Sequence, residues 1–428
     1  MSAKSVSIDY VDLKYKPKDS DLICRFYIEP KYGVAFDHAA EHVAVESSIG
    51  TWVKVQTLKS YVKKFTAHVF RLDPHNGIAD IAYPYEAFEP DNIPEILSSI
   101  AGNVFGMKQV SKLKFLDVKF PKKIVKCYSG PRFGIDGVRK VLKVKNRPLL
   151  GTIIKPKMGL NPTDHAKVAF DAWIGGCDIV KDDENLCNQK FNLFNKRLEK
   201  TLKMRDKAEK ITGERKVYMV NVTGPYGEMI DKAKLVKKMG GRYAMIDVIT
   251  TGFSALQDFV KKTEKLRLVL HGHRAMHAAF DRLDHGIDFI VFTKLCRLVG
   301  IDQLHIGTIV GKMAGKKEEV LGCRDAAVLD NTPEDKNFLG QKWYGLNSMF
   351  PVASGGLHPG HVPKIVEYFG KDIIIQMGGG IHWNPRGTVY GAKGARQAIE
   401  AVMQGISLKE YAKTHRELRE AIENFGIA

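Results

Sequence analysis

Eight apolar runs, each leading through a polar or glycine turn into an amphipathic helix, follow one another from Gly130 onward and predict an α/β fold. The expected architecture is a C-terminal (β/α)8 TIM barrel with its closing helices over residues 136–428, preceded by an N-terminal α+β domain over residues 1–135. Two further observations agree with it. Eight β/α units over about 250 residues is the ordinary size of such a barrel. At Gly130-Pro131 the texture also changes, from short runs punctuated by Pro and Gly to long repeating units.

In the N-terminal part, 22–28 and 79–82 read as strands among one or two helices. The barrel strands are expected at 149–155, 178–181, 217–222, 244–249, 268–271, 303–306, 350–353 and 373–377. Between the first two, 161–173 reads as a helix: Asn161 can cap it, Pro162 suits the first turn, and Gly175-Gly176 ends it. Apolar residues at helical spacing over 399–425 predict a helical segment packed outside the barrel.

The composition, 44% hydrophobic and 27% charged, excludes a disordered, collagen-like or low-complexity chain. No apolar run approaches the ~20 residues of a membrane span, and the opening residues lack a secretory block, so a cytoplasmic protein is expected. Six scattered cysteines without CxxC pairing point to free thiols rather than a disulfide framework or zinc finger. The net charge of +18 would draw phosphorylated metabolites, nucleic acid or acidic partners. Lysines such as those of 196–210 alternate with acids, as on a solvated helix face, and no nucleic-acid-binding motif is present.

A TIM barrel builds its active site at the C-terminal strand ends, and reactive residues collect there. Lys155 and Lys157, two apart, would share a face of an extended chain and suit an anion or a lysine of depressed pKa; a charged strand end is the plainer reading. Lys181-Asp182-Asp183-Glu184-Asn185 offers three carboxylates to a hard cation such as Mg²⁺, or simply acidic decoration of a helix start. His273 and His277 could bind zinc if their stretch were helical, but without an HExxH glutamate or third ligand the segment better suits phosphate binding and proton transfer. His305 ends the sixth run, and beyond it Lys312 lies between Gly311 and Gly315 on a loop that could close over substrate. Ser354-Gly355-Gly356 and Gly378-Gly379-Gly380 follow the seventh and eighth runs, where barrels frequently bind phosphate on backbone N–H groups. Together these residues suggest a sugar carrying two phosphates, with Mg²⁺ polarising its oxygens.

Several blocks closely resemble the large subunits of ribulose-1,5-bisphosphate carboxylase/oxygenase (RuBisCO). They are Glu46-Ser47-Ser48-Ile49-Gly50-Thr51-Trp52, Gly102-Asn103-Val104-Phe105-Gly106, Lys155-Pro156-Lys157, Gly176-Cys177-Asp178, Lys181-Asp182-Asp183-Glu184-Asn185, His273-Arg274-Ala275-Met276-His277 and Ser354-Gly355-Gly356. The stretches 301–308, 354–360 and 410–426 are similar to the archaeal form III members.

The resemblance implies carboxylation of D-ribulose 1,5-bisphosphate with CO2 and water to two 3-phosphoglycerates, with O2 as a side substrate. It implies a carbamate, formed on Lys181 by an activator CO2, that joins Asp183 and Glu184 around Mg²⁺ and takes the C3 proton. Lys155 would handle protons at C2 with support from Lys157, His273 would assist, and Lys312 would stabilise the new carboxylate. Arg274, His305, Ser354, Gly355, Gly356, Gln376, Gly378 and Gly379 would hold phosphate and hydroxyl groups. Glu46, Thr51 and Asn103 would complete the neighbouring subunit's site, implying a homodimer or an assembly of dimers, with no small subunit, nucleic acid or membrane partner. The implied setting is archaeal nucleotide and ribose-phosphate (AMP) metabolism.

Departures from plant-like members are Ile153 for a threonine, Met313-Ala314 for leucine and glutamate, and Asn384 for a histidine. Two other functions compete. One is a RuBisCO-like enolase or isomerase of a related sugar phosphate, which typically lacks several of the catalytic residues retained here. The other is a non-catalytic phosphate- or nucleic-acid-binding protein, whose binding would be salt-sensitive and without turnover.

Overall fold

A computed structural model describes residues 8–50, 53, 55–312 and 315–428. The chain forms two compact units. The first comprises the described residues up to Ser129 together with Met276–Leu298 and Leu329–Leu346; the second comprises Gly130–Ala275, Val299–Val328 and Asn347–Ala428.

In the first unit a five-stranded sheet runs in the order Gly286–Ile287, Val110–Lys119, Leu22–Pro30, Ile78–Tyr83, His68–Asp73. Its pairings are antiparallel except for the short Gly286–Ile287 strand. Phe26 and Phe115 stack across adjacent strands with ring centroids 5.0 Å apart. Helix Phe36–Glu46 buries Ala39, Ala40, Val43 and Ala44, a stripe of i, i+1, i+4 and i+5 positions on one face. Inside the unit, Arg25 is fixed by Asp80 at 2.8 Å and Lys294 by Asp117 at 2.6 Å, with all four side chains almost fully buried. Each charge thereby meets its desolvation cost with a close partner.

The second unit is the predicted barrel. Its strands are Leu149–Ile153, Ile179–Lys181, Val217–Asn221, Tyr243–Asp247, Val269–His273, Gln303–His305, Phe350–Ser354 and Ile374–Gln376, parallel and closed on themselves in chain order. Because side chains alternate along a strand, every second residue points into the barrel. At the strand starts this inward set is apolar except for Gln303 of the sixth strand. Leu149, Ile179, Val217, Tyr243, Val269, Phe350 and Ile374 join Met219, Met245 and Val352 in one buried cluster. Helix Gly134–Leu142 closes that end with Ile135, Val138 and Leu142. At about 1.5–3 kcal/mol per large apolar side chain removed from water, this plug is a major stabilising element of the unit.

Helix Pro162–Ile174 starts as expected, with Asn161 Oδ1 accepting from the Thr163 and Asp164 N–H groups at 2.9 and 3.0 Å. The left-handed turn beyond it falls on Gly176 (φ +112°), not Gly175. Helix Phe194–Thr212 carries the alternating lysines: Lys196, Lys200, Lys203, Lys207 and Lys210 are exposed, while Leu198, Leu202 and Ala208 face inward.

The segment expected to be helical over 399–425 is three helices, Thr388–Met403, Leu408–Tyr411 and Arg416–Phe425. Gly405, at φ +72°, breaks the first from the second. All six cysteines are free thiols. No helix among the described residues is long and apolar enough to cross a membrane.

Candidate active site at the barrel mouth

The alternation that makes one end of the barrel apolar delivers polar residues to the other. Continuing inward at the C-terminal strand ends are Lys181, Asp247, His271, His273, His305, Ser354 and Gln376.

At the end of the second strand, at Lys181 and just beyond it, the contacts separate neighbours. Lys181 and Asp183 take the inward phase, whereas Asp182 turns outward and is consumed by structure. Its carboxylate accepts from Tyr218 Oη (2.6 Å), Asn221 N (3.0 Å) and Arg197 Nε (3.2 Å), with His165 Nε2 at 3.1 Å. Burial works against its charge, but Arg197, His165 and Tyr218 outweigh burial and hold its pKa at about 2. Reading all three carboxylates of the second run as cation ligands is therefore corrected: Asp182 is not free to serve.

Lys181 is only 1% exposed. Burial lowers its ammonium pKa, against the pull of Glu184, Asp183 and Asp247. Its Nζ donates to Asp182 O at 2.8 Å and touches Met245 Sδ at 3.5 Å. Asp183 accepts from Lys155 Nζ at 2.7 Å and from Asn185 Nδ2 at 3.2 Å. Burial would raise the Asp183 pKa, yet Lys155 and then Lys181 keep it below the ordinary carboxylate value.

The first barrel strand ends at Ile153, two residues before Lys155. The period-two argument that would set Lys157 beside Lys155 therefore no longer applies, and Lys157 is exposed. The aliphatic stem of Lys155 instead passes the Gly378 turn, where an added Cβ would sit 3.2 Å from Lys155 Cε.

His273 closes the fifth strand rather than lying on a helix, so the zinc reading of His273 and His277 lacks its geometry. Its Nδ1 accepts from the Ala275 N–H at 3.2 Å, which leaves the proton on Nε2, 3.6 Å from Glu184 Oε2. Nδ1 also lies 3.1 Å from Asp247 Oδ1 but off a hydrogen-bond line, so that buried oxygen has no donor. Burial lifts the Asp247 pKa to about 7, against the influence of Lys181. Burial, reinforced by Lys181, takes His273 down to about 3.

Behind His273 stand His305 and His271, with Nε2 atoms 2.9 Å apart. Both are kept neutral by burial. His271 is held by Gln303 Oε1 at 3.0 Å.

The turns complete the rim. Arg274 lies against Gly307, whose added Cβ would meet its Nη2 at 2.8 Å. Lys312 packs on the turn after the seventh strand: a Cβ on Gly356 would lie 2.4 Å from Lys312 Cβ, so only glycine allows that approach. The ends of the Lys312 loop are tied by Gly315 N donating to Thr308 O at 3.0 Å. Gln376 is buried on the strand paired directly with strand one, in register with Gly151 and with its amide against that glycine. Gly379 is open on its Cβ side.

The two parts of the chain match, at residues 9–124 and 134–425, the families described as ribulose bisphosphate carboxylase large chain, N-terminal domain and catalytic domain. The chain belongs to the ribulose bisphosphate carboxylase large-chain family. It is 50% identical over 419 residues to the ribulose bisphosphate carboxylase of Methanosarcina mazei, covering 97% of this chain and 98% of that one. To the Methanocaldococcus jannaschii enzyme of the same name it is 51% identical over 427 residues, covering 97% and 99%. Among solved structures, a dimeric archaeal Rubisco from Hyperthermus butylicus superposes with a TM-score of 0.93 at 43% identity, covering 98% of this chain and 99% of that one. An octameric Rubisco from Pyrococcus horikoshii gives 0.90 at 43%, covering 97% and 96%.

In this RuBisCO-family chain the donor set fits a hard cation: Asp183 and Glu184 supply adjacent oxygens, and the buried Lys181 amine faces them. Among the described residues no three His, Cys, Asp or Glu surround one metal position. A cation held there would need a further oxygen ligand from elsewhere.

Glu46 and Asn103 belong to the first unit, where Asn103 Nδ2 donates to Glu46 Oε1 at 3.1 Å. Thr51, Met313 and Ala314 lie outside the described residues. Asn384 is buried, with Nδ2 donating to Glu420 Oε2 at 3.2 Å. Sequence reasoning missed Asp247 and the His271–Gln303 pair. Asp247 could have been found by carrying the inward phase of Tyr243 and Met245 one step further.

Proposed function

We propose that this chain carboxylates D-ribulose 1,5-bisphosphate to two 3-phosphoglycerates, with Mg²⁺ as cofactor and a carbamate on Lys181. The observation that carries the reading is Lys181: a buried amine of lowered pKa set among Glu184, Asp183 and Asp247. Burial favours its neutral form, whose lone pair attacks CO2; loss of a proton then leaves a carbamate carrying the missing oxygen ligand. Mg²⁺, when bound by that carbamate with Asp183 and Glu184, would polarise the sugar's C2 and C3 oxygens.

The carbamate removes the C3 proton to give the enediolate. CO2 adds at C2, or O2 as a side reaction. Lys312, carried on its tied loop, supplies a cation to the charge that appears only at that step. Water then adds to the C3 carbonyl, and breaking the C2–C3 bond releases one 3-phosphoglycerate and leaves a carbanion at C2 of the other. Lys155 protonates C2 after C–C cleavage, with Lys157 supporting it and Nε2–H of His273 assisting transfers. Arg274, His305, Ser354, Gly355, Gly356, Gln376, Gly378 and Gly379 bind the phosphates and hydroxyls. Glu46, Thr51 and Asn103 complete the site of a partner subunit in a homodimer or an assembly of dimers that needs no small subunit. The substrate would come from cytoplasmic nucleotide-derived ribose phosphates.

The test is incubation with ribulose 1,5-bisphosphate, Mg²⁺ and labelled bicarbonate. Label in 3-phosphoglycerate is expected; an isomerised sugar without label would instead establish the enolase or isomerase reading. Lys312→Ala should abolish carboxylation yet keep exchange of the C3 proton with solvent, and Lys181→Ala should lose both. Carboxylation by Lys312→Ala near the wild-type rate would refute the loop's role.

A further inference from the structure

Helix Phe36–Glu46 carries two imidazoles that its packing does not use. His38 and His42 are one turn apart on the face opposite the buried Ala39, Ala40, Val43 and Ala44. Their Nε2 atoms are 3.2 Å apart, and the rings stand at 89° to each other. For metal–nitrogen bonds of about 2.0–2.1 Å, that separation corresponds to an N–M–N angle of about 99–106°, between octahedral and tetrahedral values. Behind His38, Glu41 Oε2 lies 3.5 Å from Nδ1, where a carboxylate favours the proton on Nδ1 and leaves the Nε2 lone pair outward.

We propose that His38 and His42 form a two-imidazole site for a borderline divalent transition cation (Zn²⁺, Ni²⁺ or Cu²⁺), with water completing its coordination and Glu41 orienting His38. The site is independent of the barrel-mouth chemistry, where the donors are oxygens. Nitrogen donors favour the later first-row metals, so Mg²⁺ does not compete for it. One helical turn already sets the spacing and the buried face braces the backbone, so binding requires little rearrangement.

Chelator-treated full-length protein, titrated calorimetrically with Ni²⁺ in excess Mg²⁺, should bind one Ni²⁺ per chain at this site. His38→Ala and His42→Ala should each weaken binding at least tenfold, Glu41→Gln should weaken it less, and exposed His75→Ala should leave it unchanged. Mg²⁺-dependent carboxylation retained by the alanine variants would show that they are folded. Ni²⁺ affinity equal to the parent in both His38→Ala and His42→Ala, or lost equally in His75→Ala, overturns the proposal.

Discussion

Replacing Asp182 or Asp183 by asparagine changes adjacent residues in the same way, yet the structure demands opposite results. Asp182 is the fully buried counter-charge of fully buried Arg197 and accepts from Tyr218 and Asn221 as well. Asp182→Asn leaves that guanidinium uncompensated, a defect that costs about 3–5 kcal/mol. At roughly 2 °C per kcal/mol for a unit of this size, Tm should fall by about 6–10 °C. The pH dependence supplies a check. A carboxyl held at about 2 when folded, against an ordinary value of 3.8, stabilises the fold above pH ~4, and that contribution, about 2 kcal/mol, is lost as pH falls towards 2. Asp183→Asn removes the counter-charge of Lys155, whose side chain is 35% exposed and can turn to water, while the amide oxygen can still accept from Asn185. Its Tm should stay within about 2 °C of the parent, corresponding to the ~1 kcal/mol of a pair whose lysine reaches water, while carboxylation is lost. Thermal melts at pH 7 and pH 3, paired with the labelled-bicarbonate assay, separate the two. Equal melts for Asp182→Asn and the parent, or an equally destabilised Asp183→Asn, would refute the assignment of faces.

Mixing a Glu46→Gln chain with a Lys181→Met chain should restore about a quarter of parental activity, since half of randomly exchanged dimers are mixed and each has one intact site of two; no recovery despite proven exchange would show that sites are not shared. Gly151→Ala places a Cβ 2.8 Å from the Gln376 amide and should cost about 1–3 kcal/mol in a urea melt. Adding Gln376→Ala should recover part of it, and additive losses would deny the contact. Asp247, with its pKa raised to about 7, keeps a proton when folded that the unfolded chain has lost, so without Mg²⁺ or CO2 stability should decline as pH rises from about 4 to 7. Asp247→Asn should flatten that slope, and an unchanged slope would assign it to another group.

The barrel was legible because strands buried on both faces read as short apolar runs at regular intervals, and all eight fell where expected. Less legible was where the runs stop. Strand one ends at Ile153 rather than Lys155, since nothing in the run of Ile153-Ile154-Lys155 marks the departure from extended geometry. The candidate site residues stood out as charges at strand ends. What each one faces did not, because Asp182 and Asp183 are chemically identical and differ only in the phase of the pleat. The segments Met276–Leu298 and Leu329–Leu346 join the first unit through contacts distant in sequence, such as Leu113 N to His285 Nδ1 and Lys294 with Asp117. No local pattern encodes these. His38 and His42 were not singled out in the sequence, because only the facing of their nitrogens gives an i,i+4 spacing meaning.

The apolar plug at the strand starts has a consequence for how the protein can be altered. Stability sits in one layer of inward positions and chemistry in another, with few side chains serving both. A library that randomises 153, 221, 247, 305, 354 and 376 while fixing 149, 179, 217, 243, 269, 350 and 374 would therefore explore new reactions on a scaffold whose folding is largely insulated from the search. The same separation would let a lineage exchange its substrate without first acquiring a more stable barrel.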